Sequence, residues 1–281
     1  MRRSGRKTES FSLLAYLVFA AVMLAVFVLC VSIGSVSVPF SETVSLIAGA
    51  LRGEAAPSTS SASIILASRL PRVICVALTG AALSICGAAM QGLLKNPLAD
   101  GSTLGVSSGA SLGAVIAIAF GITFPALPFA GTMVMAMIFA FASIVIILSV
   151  AYKLDYSLST NSIILIGVIY SMFVSSLLSL ILTFASDKLH NITFWTMGSL
   201  AGSSYRNALV LLAALVVCGS VLLHLHRELN AFAVGEENAR HIGVNVRRVR
   251  LTVLIAVSAL IGVCVSIGGT IGFVGLVTPH I

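Results

Sequence analysis

Charge is missing from six long stretches of this chain, and that limits the folds open to it more than any other feature. The uncharged runs extend from Ser10 to Ser41, Val73 to Leu94, Gly101 to Tyr152, Tyr156 to Ser186, Asn207 to His226 and Leu251 to Ile281. A bilayer crossing needs about 20 mostly apolar residues, so each run holds at least one transmembrane helix. The Gly101 to Tyr152 run is too long for one, and the turn-like stretch from Gly121 to Pro128, which includes Pro125, divides it. Seven crossings are therefore predicted, at roughly 11–33, 73–92, 103–120, 128–150, 161–184, 208–226 and 251–270. Only 9% of the residues are charged, whereas a water-soluble domain carries about a quarter. Lipid is thus the solvent for most of this chain.

Lysine and arginine resist translocation and collect in cytoplasmic loops. With the N-terminus inside, eleven bases fall on the inner side (Arg2, Arg3, Arg6, Lys7, Lys95, Lys153, Arg227, Arg240, Arg247, Arg248 and Arg250) and five outside (Arg52, Arg69, Arg72, Lys188 and Arg206), which favours that orientation in the cytoplasmic membrane. The same loops explain the basic balance, so no nucleic acid partner is expected. The first apolar run is long enough to span and lacks a small-residue cleavage site after it, which argues against a cleaved signal peptide. Cys30, Cys75, Cys86, Cys218 and Cys264 lie in apolar runs without metal-ligand spacing and read as small buried hydrophobes, so no metal site is expected.

The stretch from Gly34 to Arg72, rich in Ser, Ala and Pro, reads as a solvated outer connection. Between crossings six and seven, residues 227–250 form the most polar inner loop, long enough for a short helix or two. Its segment GEENARHIGVNVRRVRL, Gly235 to Leu251, has acids at its start and bases at its end, which suits a helix with its dipole complemented at both ends. Gly101, Gly105, Gly109 and Gly113 are spaced by four and share one helix face. Such a bare stripe serves close helix packing, or a pore lining in which Ser107, Ser108 and Ser111 offer hydroxyls to a solute. A weak inverted repeat relates Arg69-Leu-Pro-Arg72 with Asn96-Pro97 to Arg247-Arg-Val-Arg250 with Thr278-Pro279.

Ion-coupled carriers and membrane enzymes place ionisable groups at mid-depth. Here Glu9, Glu42, Glu54, Asp100, Asp155, Asp187, Glu228, Glu236 and Glu237 all fall at or beyond helix ends. Of the histidines, His280 follows Pro279, where a helix-end hydrogen bond is the favoured role. No Gly-x-x-x-x-Gly-Lys-Ser/Thr loop is present, so ATP cannot be held by that device. Energy must enter from another subunit, and the mixed-charge inner loop is the natural contact.

Four segments carry a family resemblance: RLPRVICVALTGAALSICGAAMQGLLKNPLADGSTLGVSSGAS (69–111), FWTMGSLAGSSYRN (194–207), GEENARHIGVNVRRVRL (235–251) and IGGTIGFVGLVTPHI (267–281). The chain resembles the FecCD-type permeases of iron-siderophore, haem and cobalamin ABC importers. The resemblance implies an all-α polytopic fold of ten helices with inverted repeats, of which seven to eight are expected here, with residues 1–281 forming one transmembrane domain. It also implies a second permease copy or paralogue, ABC ATPase subunits that bind the ATP, an extracytoplasmic substrate-binding protein, and no enzymatic chemistry or cofactor in this chain. By similarity, Arg69 and Arg72 dock acidic residues of the binding protein. Gly235, Glu236, Glu237, Ala239, Arg240 and Gly243 resemble the ATPase-coupling helices. Thr160 and Asn161 resemble the cytoplasmic gate, with helix N-capping as the alternative role. Relatives continue past the Pro-His-Ile motif, so a C-terminally truncated member with unpartnered helix faces is expected. Ferric siderophore, or a related metal chelate such as haem or cobalamin, is the expected cargo, and an ion-coupled secondary transporter is the rival reading.

Overall fold

The computed structural model describes residues 12–55, 57–100, 104–123, 131–155 and 159–281. They form helices joined by turns, as hydrocarbon demands, because each backbone N–H and C=O without water must find its partner within the chain. The chain divides into two compact units, Met1–Val73 and Ile74–Ile281.

In the first unit, helix α1 runs over Leu13–Ser32 and is capped by the Ser12 hydroxyl, which accepts from the Ala15 amide. Most of its side chains are exposed, among them Leu17, Phe19, Met23 and Leu24, as a helix bathed in lipid requires. Helix α2, Phe40–Leu51, starts after Pro39 and buries Thr43 and Leu46. A third short helix, α3 (Ser60–Ala62), is capped by Thr59 and passes into a π-helical stretch, Ser63–Arg69, and then into α4, Leu70–Leu94. Val31, Leu46, Ala62 and Ile65 form this unit's own small core. The expected solvated connection over residues 34–72 is therefore corrected: much of it is helical. Thr59 supplies the capping oxygen that a Ser-rich string needs to start a helix. The π-helical stretch ends two residues before Pro71, which has no N–H to donate.

The second unit continues α4 and adds α5 (Val106–Ala119), α6 (Gly131–Leu154), α7 (Thr160–Phe184), α8 (Leu189–Thr196) and α9 (Tyr205–His224). After these come α10 (His226–Val234), α11 (Glu236–His241), α12 (Val246–Gly268) and α13 (Val274–Val277). Helix α12 is the hub: sixteen of its residues are buried, and it packs on α5, α6 and α9. Helix α5 packs on α6, α7, α8 and α12.

Among the described residues, six helices are long and apolar enough to cross a membrane. The predicted crossing at 103–120 differs. Its helix has 14 residues, a length of about 21 Å against a hydrocarbon core of about 30 Å. Ala, Ser and Gly dominate α5, so it is buried among its neighbours instead of being set against lipid.

Candidate functional site

The most polar folded region of the second unit is the pair of short helices between α9 and α12. Helix α11 has Glu236 and Glu237 in its first turn and Arg240 and His241 in its last, so both ends of its dipole are complemented. It stops at Gly243, whose φ of +87° suits a residue without a Cβ. The Gly243 amide donates to the Arg240 carbonyl and the Val244 amide to the Ala239 carbonyl, the paired bonds of a Schellman C-cap. Asn245 then caps α12, its side-chain oxygen accepting from the Arg248 amide at 3.1 Å. The acid-to-base segment 235–251 is thus two helices and not one. Arg247, Arg248 and Arg250 sit in the first turns of α12, at the dipole end that disfavours cations.

Two of those arginines have side-chain partners. Arg247 lies over the Tyr152 ring at 4.9 Å. Arg250 has a side chain only 1% exposed and donates to Glu236 Oε2 at 2.8 Å, while its guanidinium lies 6.0 Å from the Phe232 ring centroid. Glu236 Oε1 accepts from Arg240 at 2.7 Å. Partial burial raises the Glu236 carboxyl pKa, but the charge and hydrogen bond of Arg250, with Arg240 adding to them, outweigh it and hold the group below the ordinary carboxylate value. Ala239 is fully buried, while Glu237, Asn238, His241, Ile242 and Gly243 are exposed. The six coupling candidates therefore divide. Glu236 and Ala239 face the bundle, Arg240 is bonded along the helix surface, Glu237 faces outward, and Gly235, half-buried, and Gly243, exposed, flank the helix. Beside this helix a cavity of about 340 Å³ opens between Glu228, Asn245 and Arg248 over an apolar floor that includes Leu225 and Val249.

The gate candidates lie at the start of α7. The cap there is Ser159, whose hydroxyl accepts from the Ser162 amide, while Asp155 Oδ2 accepts from the Ser159 amide and the Ser162 hydroxyl, both at 3.0 Å. Capping thus belongs to Ser159 and not to Thr160 or Asn161. Asn161 is exposed and Thr160 half-buried. The signal that locates this cap is the Asp155-x-x-x-Ser159-x-x-Ser162 spacing, which puts three oxygens on one side of the turn.

On α5, a Cβ at Gly109 would overlap the Ser143 hydroxyl, and one at Gly113 would overlap the Met135 carbonyl, so the stripe lies directly on α6. Gly105 adopts φ +75° at the helix start, with the Tyr170 ring and the Gly167 carbonyl close by; Gly101 lies outside the described residues. Ser111 is buried and donates to the Ser107 carbonyl at 2.9 Å, while Ser107 and Ser108 are half-buried. In the first unit, Arg69 donates to the carbonyls of Val31, Ser32 and Val36, whereas Arg72 is exposed. His280 Nε2 meets the Pro97 carbonyl at 3.2 Å. Sequence reasoning counted Arg250 among the inner bases, in the repeat motif and at the basic end of the 235–251 segment, but gave it no partner. The available signal was its position inside an apolar helix, fourteen residues from an acid across a glycine turn.

A bundle of lipid-length helices with a folded polar loop seated on its most buried span defines a multi-pass membrane protein of the permease kind. The chain belongs to the FecCD transport family, whose profile matches residues 22–281. It is 44% identical over 222 residues to an uncharacterized ABC transporter permease protein, YvrB, of Bacillus subtilis, covering 78% of this chain and 62% of that one. Identity is 36% to the cobalamin import system permease protein BtuC of Halobacterium salinarum, over 75% of this chain and 56% of the relative. It is 37% to the hemin transport system permease protein HmuU of Yersinia pestis, over 76% and 64%. The chain thus spans less than two thirds of the length of these relatives. A solved structure described as a metal-chelate type ABC transporter in an inward-facing conformation superposes with TM-score 0.78 and 30% identity, covering 95% of this chain and 80% of that one.

Proposed function

We propose that this chain is the membrane-spanning subunit of an ATP-driven importer for a metal chelate, with ferric siderophore as cargo. The observation that carries the reading is the α10–α11 loop, a folded polar surface fastened to the central helix of the bundle by an ion pair from Glu236 to the buried Arg250. Among the described residues, none of the six long helices contains an aspartate or glutamate, and a proton or sodium cycle needs such a group at mid-depth. Work is therefore delivered through the loop by ATPase subunits on the inner face, which bind the ATP, with the N-terminus on that same side. The names of the relatives, which include hemin and cobalamin transport, support the chelate class.

In this reading a second permease copy or paralogue completes the passage. An extracytoplasmic binding protein docks on Arg72, and Arg69, bonded to three backbone carbonyls, fixes the turn that presents it. Thr160 and Asn161 gate the inner end, Ser107 and Ser108 line the path, and Gly105, Gly109 and Gly113 let α5 lie against α6. The test is uptake into vesicles holding the assembled importer. Accumulation of ferric siderophore with ATP and no ion gradient supports the reading. Uptake that needs a proton or sodium gradient and ignores ATP refutes it, and accumulation of haem or cobalamin alone replaces the cargo.

A further inference from the structure

The two acids of α11 have different surroundings. Glu237 is exposed, whereas both carboxylate oxygens of Glu236 are engaged, Oε1 by Arg240 at 2.7 Å and Oε2 by Arg250 at 2.8 Å. Arg250 belongs to α12, Glu236 to α11, and Phe232, beneath the same guanidinium at 6.0 Å, to α10. Phe232 is itself fully buried. Three helices thus converge on one buried cation. Burying an arginine is expensive, and removing one member of such a pair strands the other charge, so the contact is held tightly or not at all. A loop tethered only through its chain ends would bend under a push from a partner. A loop tied through a buried guanidinium that is paired with Glu236 passes the push to α12, and α12 passes it to α5, α6 and α9, on which it packs.

We propose that Glu236 and Arg250 are positioning residues that form a rigid strut, making α10, α11 and the first turns of α12 a single moving body. The exposed face of Glu237, His241 and Ile242 is then what the ATPase touches. This rests on the loop being the ATPase seat, and it assigns the two glutamates of one motif to opposite tasks: Glu237 contacts the partner, and Glu236 transmits.

The experiment places nitroxide labels at Val234 of α10 and Ile255 of α12, both exposed and outside the proposed ATPase face, with the exposed Cys30 replaced by serine, and reads their separation by pulsed electron paramagnetic resonance in the assembled importer. The strut predicts one narrow distance that stays the same with and without ATP. Glu236→Gln should broaden it, retain the co-purifying ATPase, and lower import per ATP hydrolysed about tenfold, equivalent to about 1.4 kcal/mol. Glu236→Asp, which keeps the charge, should recover most of that coupling, as a purely steric role would not. Arg250→Lys should broaden the distance in the same way, and serves if Glu236→Gln fails to accumulate. A wild-type distance that changes with ATP, or a Glu236→Gln protein with a narrow distance and full coupling, overturns the strut. Ile242→Arg distinguishes the underlying reading: if this variant still binds the ATPase, the seat lies elsewhere, while the labels continue to report on the strut.

Discussion

Replacing Gly109 with alanine adds one methyl group at a point where α5 has no space for it. An ideal Cβ there would overlap the Ser143 hydroxyl oxygen and would lie 2.8 Å from Ser143 Cβ and 2.9 Å from the Phe139 carbonyl oxygen. The hydroxyl cannot simply rotate away, since it is hydrogen-bonded to the Phe139 carbonyl at 2.6 Å and to the Tyr170 hydroxyl at 2.8 Å. The Phe139 oxygen is backbone, so α6 itself must retreat. Overpacking of this kind costs about 1–3 kcal/mol, and loss of the Ser143–Tyr170 bond adds about 1 kcal/mol. The total of roughly 2–4 kcal/mol corresponds to a fall of about 4–16 °C in Tm for a chain of this size. The control is Gly80→Ala on α4, where a Cβ would meet nothing within 4 Å. Alanine is the better helix former by about 1 kcal/mol, so that variant should match or exceed the wild type. Apparent melting in one detergent at one scan rate reads both, with Gly109→Ala/Ser143→Gly expected to recover part of the loss. A Gly109→Ala protein that melts with the wild type, or a Gly80→Ala protein that falls equally, would refute the packing account.

Three further outcomes are expected. The depressed Glu236 pKa means that the ion pair stabilises the fold fully above the ordinary carboxylate pKa of about 4.3 and loses its effect as pH falls through the lower folded value. The melting gap between wild type and Glu236→Gln should thus be constant from neutral pH down to the ordinary carboxylate pKa of about 4.3 and narrow below it; a gap that closes on alkalinisation would reverse the sign. Asn245→Ala removes the α12 cap and should cost about 1 kcal/mol, with Asn245→Asp close to wild type, both read by thermal melting. Arg72→Glu should weaken binding-protein docking while leaving ATPase assembly intact, measurable as a loss of binding-protein-stimulated ATP hydrolysis; undiminished stimulation would remove Arg72 from the docking surface.

The spans were legible because expelling charge from hydrocarbon is a strong, sequence-local constraint. The run from Ser10 to Ser41 contains α1, and the stretch predicted at 161–184 is nearly identical to α7, Thr160–Phe184. The stripe at Gly105, Gly109 and Gly113 is visible as a four-residue period. What it abuts is not, because Ser143 and Met135 lie across a turn whose direction the spacing leaves open. Helix α2 escaped notice because its 12 residues are too few to span a bilayer and lie in a stretch whose Ser, Ala and Pro read as a connection. Arg250 escaped for a different reason. In a sum of inner-side bases an arginine is one count, and only the reversal at Gly243 brings it to Glu236. Local spacing finds i to i+4 partners such as Glu236 and Arg240 and is silent on pairs made by a turn.

The proposed function requires motive force to reach the bundle through a loop on the ATP side of the membrane, and accessibility tests that placement directly. A Glu237→Cys protein, with Cys30 replaced by serine, should resist a membrane-impermeant maleimide in intact cells and react once the membrane is opened. Full labelling of the introduced thiol in intact cells would put the loop on the wrong side for any nucleotide-driven partner and contradict the account.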